Sequence, residues 1–201
     1  MTKRVASLSV RRRSLFGFAA RLRLLSKDQS GTGAIEFAVL LPILIALYFG
    51  AVEFGDAFTA KRKVTGAASA VGDLVTRSKE LSKPAMADIL EGAPNAVLYP
   101  YPVDKTNTEV KVTCAAIDKD KIATVKWSVA FDGGVTDRVG SRIALPAGVV
   151  LPESKLVAVD MVYKYKPVLG AYIVGDTVDF TSKFYFKPRV SGTVCYDGVC
   201  C

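Results

Sequence analysis

The chain has 201 residues, half of them apolar, with a mean hydropathy of +0.28; that allows one modest globular domain plus an apolar segment. Its formal net charge is +8, yet residues 1–30 hold eight basic side chains (Lys3, Arg4, Arg11, Arg12, Arg13, Arg21, Arg23, Lys27) against Asp28 alone, which leaves the rest nearly neutral. Basic charge gathered upstream of an apolar run is the pattern of a cytoplasmic flank and argues against nucleic acid as a partner, and the lack of histidine excludes imidazole triads, Cys-His pairs and His-based zinc sites.

Residues 1–31 read as a basic cytoplasmic leader. "RRRSLFGF" (11–18) is similar to a twin-arginine signal, but the hydrophobic run starts about 20 residues later than such a signal needs. An ordinary secretory signal fits no better, because the leader is long, the apolar run is too long for an h-region and no small-x-small site precedes a mature domain cleanly. Leu15 to Leu25 could form a basic amphipathic helix on the inner membrane face; disorder is the equal alternative.

The segment "SGTGAIEFAVLLPILIALYFGAVEFGDAF" (30–58) comes next, with 16 uncharged residues between Glu36 and Glu53. At about 1.5 Å per residue the two carboxylates stand roughly 26 Å apart along a helix. That is close to the hydrocarbon thickness of a bilayer, so the expectation is a spanning helix with a carboxylate at each edge. A buried core helix is the competing reading. The positive-inside rule places residues 1–30 in the cytoplasm and 57–201 outside. Pro42 removes one helical hydrogen bond. Ala34, Ala38, Ala46 and Gly50 recur at four-residue spacing, with Pro42 filling the gap, which either lets helices approach closely in lipid or only reflects membrane composition.

Within "GTGAIEF", a cut after Gly31 would leave Thr32 as the N-terminus and Glu36 as the fifth residue, which resembles prepilin-class precursors. A free α-amine at the membrane edge needs a counter-charge, and a carboxylate one turn away, or on a neighbouring subunit, supplies it. Asp28, Gly31, Glu36, Phe37, Ala38, Leu41, Pro42, Glu53 and Phe54 together resemble the N-terminal signature of the TadE-like family of pilus-assembly proteins, over 28–56. "VGDLVTR", "MVYKYKP" and "FKPRVS" also look like longer members of that family. The resemblance implies a minor pilin or pseudopilin of a tight-adherence (Flp-type) pilus system. The implied partners are the inner membrane, other pilins or pseudopilins, the Tad assembly platform and a prepilin peptidase. It also implies processing at Gly31 and Thr32, and an assembly or register role for Glu36, Phe37, Pro42 and Glu53. Glu53 has no amine beside it in the sequence and is expected at the opposite interface, open to water.

Val64, Ala67, Ala68, Val71, Leu74 and Val75 keep helical spacing, so the helix is expected to continue to about residue 79 as a stalk, giving a helical segment 32–80. Lys61, Arg62 and Lys63 run against positive-inside but are outnumbered upstream. "SKPAMADILEGA" reads as a short helix with Ser82 as cap and Pro84 early, ending near Gly92 and Pro94. A proline-containing loop, "NAVLYPYPVDKTNT", follows.

From there period-2 alternation takes over, at 109–117, 121–131, 154–167 and 176–189. Val125, Trp127, Val129 and Phe131 share one face, as do Val157, Val159, Met161, Tyr163 and Tyr165, and Val178, Phe180, Phe184 and Phe186. The aromatic stripe reads as core, with a ligand groove as the minor reading. The fold class expected is α+β: a long N-terminal pilin-like transmembrane helix, then an antiparallel-sheet extracytoplasmic domain over 81–201. Cys114, Cys195, Cys200 and Cys201 lie on the outer side, where disulfides form; three connectivities are possible, and the vicinal Cys200–Cys201 bond is disfavoured as strained. Cys114 could staple the tail to the sheet. Neither a metal cage nor a cofactor motif is legible, and no nucleophile sits beside a base, so a non-enzymatic role is expected. The alternative function is a signal-anchored envelope module that captures a surface ligand.

Overall fold

The computed structural model describes residues 31–146, 148–149, 151–168, 176–190 and 192–201. The basic leader, with Asp28 and the twin-arginine-like stretch, lies outside the described residues. Helix α1 runs Thr32–Arg77, 46 residues, with Pro42 inside it. The chain divides into two units at Phe49/Gly50, so the outer half of α1 belongs with everything that follows it. The reason is burial: Ala60, Val64, Ala67, Ala68, Val71, Gly72, Val75 and Thr76 form a stripe with helical period that faces the core. The outer half of α1 is therefore a core element on which the sheet packs. Leu74, expected on that face, is 42% exposed; Gly72 and Thr76 take the inward positions.

Strand β1 (Glu80–Leu81) leads into helix α2 (Lys83–Leu98). Ser82 caps α2, its hydroxyl accepting from the Ala85 amide at 3.4 Å, with Pro84 in the first turn, where a missing N–H costs nothing. The helix does not stop near Gly92 and Pro94 as expected but continues to Leu98. Its buried positions are Met86, Leu90, Pro94 and Leu98, each four residues on, so Pro94 belongs to the packing stripe and burial outweighs one lost backbone bond.

Five antiparallel strands follow, in the order β4-β3-β2-β5-β6: β2 Thr108–Ile117, β3 Ala123–Ala130, β4 Arg142–Ile143, β5 Lys155–Tyr165 and β6 Val178–Phe186. Register sets Val112 opposite both Val129 and Val159, and Tyr163 opposite Phe180. One face carries Val110, Val112, Cys114, Trp127, Val157, Val159, Met161, Tyr163 and Tyr165; it joins the α1 and α2 stripes in one core, with Phe180, Phe184 and Phe186 packed at its side. The aromatic stripe is thus core. The β2–β3 register shifts between Cys114 and Ala115, where Lys126 is an extra residue on β3, while the β2–β5 register runs on unbroken.

The other face is polar at one end. Lys111 bridges Asp137 (3.0 Å) and Asp160 (3.6 Å), and Lys183 pairs with Asp160 at 3.0 Å. At the other end Ala115, Ile117, Ala123 and Leu156 make a second, smaller cluster.

The tail forms a second sheet. Strand β7 (Cys195–Tyr196) pairs in parallel with β1 and antiparallel with β8 (Val199–Cys200). The two-residue turn Asp197–Gly198 has positive φ at both positions, 49° and 81°, the conformation an Asp-Gly hairpin turn adopts. That turn chemistry was available in "CYDGVC" and marks a hairpin that alternation alone does not reveal. Disulfides Cys195–Cys200 and Cys114–Cys201 close the hairpin and tie its end to the sheet. Trp127 donates its indole N–H to the Val194 carbonyl at 3.1 Å, so the core aromatic also holds the tail.

Candidate functional site

The inner part of α1 is defined by what it lacks. From Thr32 to Val52 every residue is exposed, including Ile35, Phe37, Leu40, Ile43, Leu44, Leu47 and Phe49. Its most apolar 18-residue window has a mean hydropathy of 2.3 and is 0% buried. The helix is long and apolar enough to cross a membrane. So much bare apolar surface is stable only in lipid or against other helices.

Gly31 directly precedes α1, Thr32 opens it, and Glu36 follows four residues on, so Thr32 and Glu36 share one face of the first turns. Phe37 and Pro42 lie on the same exposed stretch; Pro42 leaves the Ala38 carbonyl without its helical donor. Glu53 lies in the other unit.

Glu53 is half-buried, and its carboxylate accepts the Val168 amide at 2.6 Å. The bond lies at the surface, where water also reaches the carboxylate, and Val168 after β5 supplies a backbone donor that the sequence did not reveal. One turn further out, Asp56 accepts two phenols, Tyr101 at 2.6 Å on one oxygen and Tyr165 at 2.6 Å on the other. Burial pushes the Tyr101 and Tyr165 hydroxyls well above their ordinary range, and the bond to the Asp56 carboxylate adds to it. Tyr163 is also raised, chiefly by burial, and donates to the Pro102 carbonyl at 3.2 Å.

Further along, Lys61 donates to the Thr181 carbonyl and lies 5.9 Å over the Phe180 ring, while Lys63 donates to the Tyr99 carbonyl past the end of α2. Two residues of the basic triplet that ran against positive-inside, Lys61 and Lys63, thus fasten β6 and the end of α2 to α1. Near its end, Asp73 binds Arg77 and Arg189, each at 2.8 Å, and the Arg189 amide donates to the Thr76 carbonyl at 3.1 Å. The Phe186 ring lies flat against Gly72, where any Cβ would collide with it.

Sequence reasoning missed Asp56, Tyr101, Asp73 and Arg189 as a set. A signal was present for part of it: "MVYKYKP" alternates phenols onto the core face, and a buried Tyr hydroxyl needs an acceptor. The stretches "VGDLVTR" and "FKPRVS", each noted separately, meet at Gly72, Asp73 and Thr76.

A groove of about 790 Å³ opens on the polar sheet face between Lys111, Asp160, Lys183 and the turn Phe131–Val135. Its charges are matched internally: Lys111 with Asp137 and Asp160, Lys183 with Asp160, Lys105 with Asp132 at 3.3 Å. Among the described residues no cluster of His, Cys, Asp or Glu could hold a metal ion.

Two features now stand together: an unburied apolar helix with a glutamate one turn in, and an outer half locked to a sheet by acids and lysines. Residues 31–73 match the family model described as TadE-like protein. The match begins at Gly31, where the exposed helix begins, and runs past the expected motif end at 56 to Asp73, the residue that pairs with Arg189. The TadE-like segment therefore covers both the apolar span and the part of α1 that the sheet packs on. It points to a Tad pilus-associated component. No match is found among curated proteins or among solved structures.

Proposed function

We propose that this protein is a minor-pilin- or pseudopilin-type structural component of a Tad (Flp-type) pilus system, with no catalytic role. It is anchored in the inner membrane by α1, its leader in the cytoplasm and its disulfide-bonded unit in the periplasm, and it works with other pilins, the assembly platform and a prepilin peptidase. The observation that carries the reading is the division of α1: apolar and unburied up to Val52, core-facing from Ala60 onward, within a TadE-like match. A helix built this way can hold an outer domain at the membrane and offer its bare half to neighbouring helices. Cleavage after Gly31 removes the basic leader and frees an amine at Thr32, one turn from Glu36. Glu36 then serves as the register, pairing with its own amine or a neighbour's when helices align.

The test expresses Glu36→Ala and Glu53→Ala in a deletion strain and scores membrane level and piliation separately. Glu36→Ala inserts normally and fails in piliation; Glu53→Ala is milder there. Normal piliation with Glu36→Ala, or lost insertion, refutes the register role. Mass spectrometry of the mature N-terminus checks cleavage at Thr32. The envelope-module reading draws on the groove of about 790 Å³; it predicts wild-type piliation in the deletion strain.

A further inference from the structure

We propose that the outer unit is seated directly on the bilayer surface, with Val168 lying in the lipid headgroup layer beside Glu53. The inference rests on the reading that α1 spans a membrane and goes beyond it by fixing the depth of the folded unit.

The depth follows from two facts. The uncharged run of α1 is bounded by Glu36 and Glu53, roughly 26 Å apart, against a hydrocarbon layer of about 30 Å. Wherever that run is centred, Glu53 falls within about one helical turn of the hydrocarbon edge. Val168 donates its amide to the Glu53 carboxylate at 2.6 Å, so Val168 shares that depth. Asp56, three residues further out, is held by Tyr101 and Tyr165. No length of bare helix separates membrane from sheet.

The surface at this level has the chemistry of a lipid interface. Val168 is 78% exposed, and Phe54 and Phe58, stacked with centroids 6.5 Å apart, are exposed on the turns of α1 that follow Glu53. Lys166, two residues before Val168, is exposed as well. Aromatic and aliphatic side chains with flanking basic groups are favoured where acyl chains meet headgroups, and anionic lipids attract the cations. The seat also explains the Glu53 bond, because a carboxylate at the hydrocarbon edge is costly unless a donor reaches it.

The test uses the full chain in vesicles of phosphatidylethanolamine and phosphatidylglycerol carrying brominated acyl chains. Three variants each add one tryptophan above the common background of buried Trp127: Val168→Trp, Val135→Trp on the exposed turn after β3, and Leu44→Trp within the apolar run. Bromine near the headgroup end quenches the added emission of Val168→Trp by about half, as expected for an interfacial depth, and leaves Val135→Trp unchanged. Bromine near the bilayer centre quenches Leu44→Trp. Quenching of Leu44→Trp with none of Val168→Trp overturns the seat while leaving the span intact. Equal quenching of Val168→Trp and Val135→Trp also overturns it, as unspecific adsorption. No quenching of Leu44→Trp removes the span itself, and the seat with it.

Discussion

Glycine to alanine at two places in α1 should shift stability in opposite directions. In a helix interior Ala is favoured over Gly by about 1 kcal/mol, because the backbone loses less freedom on folding. At Gly66 an added Cβ meets Val97 at 3.4 Å, an ordinary contact with α2. Gly66→Ala should therefore stabilise the outer unit by about 1 kcal/mol, a rise of about 2–4 °C in melting temperature for a unit of this size. At Gly72 the Cβ would overlap three atoms of the Phe186 ring, the furthest of them at 2.7 Å. Overpacking costs about 1–3 kcal/mol, and a collision with three ring atoms lies toward the upper end. After the helix-propensity gain, Gly72→Ala should destabilise by about 1–2 kcal/mol. Adding Phe186→Leu should make the two changes non-additive, since a smaller side chain vacates the contested space. The assay is guanidinium unfolding of the full chain in detergent, followed by Trp127 emission. If Gly72→Ala stabilises as much as Gly66→Ala, Phe186 does not pack against Gly72 and the argument fails.

Breaking Cys114–Cys201 with paired serines should cost about 4–5 kcal/mol in the chain-entropy model, against about 2 kcal/mol for Cys195–Cys200, because the first closes 87 residues and the second 5; the same unfolding assay under oxidising conditions ranks them. Burial raises the Asp137 carboxyl, but bonds from Thr113 and Lys111 outweigh this and hold it below its ordinary value. Its contribution is therefore present above about pH 4 and lost as pH falls through the lowered value, and Asp137→Asn should flatten the acid limb of a stability–pH curve. Tyr101 and Tyr165, raised above 10, should stay neutral through the ordinary tyrosine range, and the stability they lend is present below about pH 10 and lost above it; absorbance titration should show a late fraction that moves earlier in Asp56→Asn. Asp73→Ala should cost about 1 kcal/mol, as a partly exposed pair does, and speed tryptic cleavage after Arg189, read by mass spectrometry.

What sequence alone determined follows from patterns that need no partner. An uncharged run between two glutamates specifies a membrane-length helix, because hydropathy is local. Strict alternation at Val157 to Tyr165 specifies a strand and its buried face, because pleating fixes side-chain direction. Four cysteines that all lie downstream of the apolar run specify one unit in which disulfides can form, without saying which pair. Tertiary structure decided the rest, wherever the outcome depended on which distant residues meet. Gly92 and Pro94 look like a helix end until Leu98 is seen to need a place in the core. Glu53 has no amine beside it in the sequence, and the Val168 amide that it accepts arrives from 115 positions away. Asp56 and Asp73 read as ordinary surface acids, yet each accepts partners from strands or tail that only the fold brings near. Gly66 and Gly72 are indistinguishable in sequence, six residues apart on one helix. Only the tertiary structure puts an isopropyl group beside one and an aromatic ring against the other, and that difference in close packing sets the sign of the same substitution.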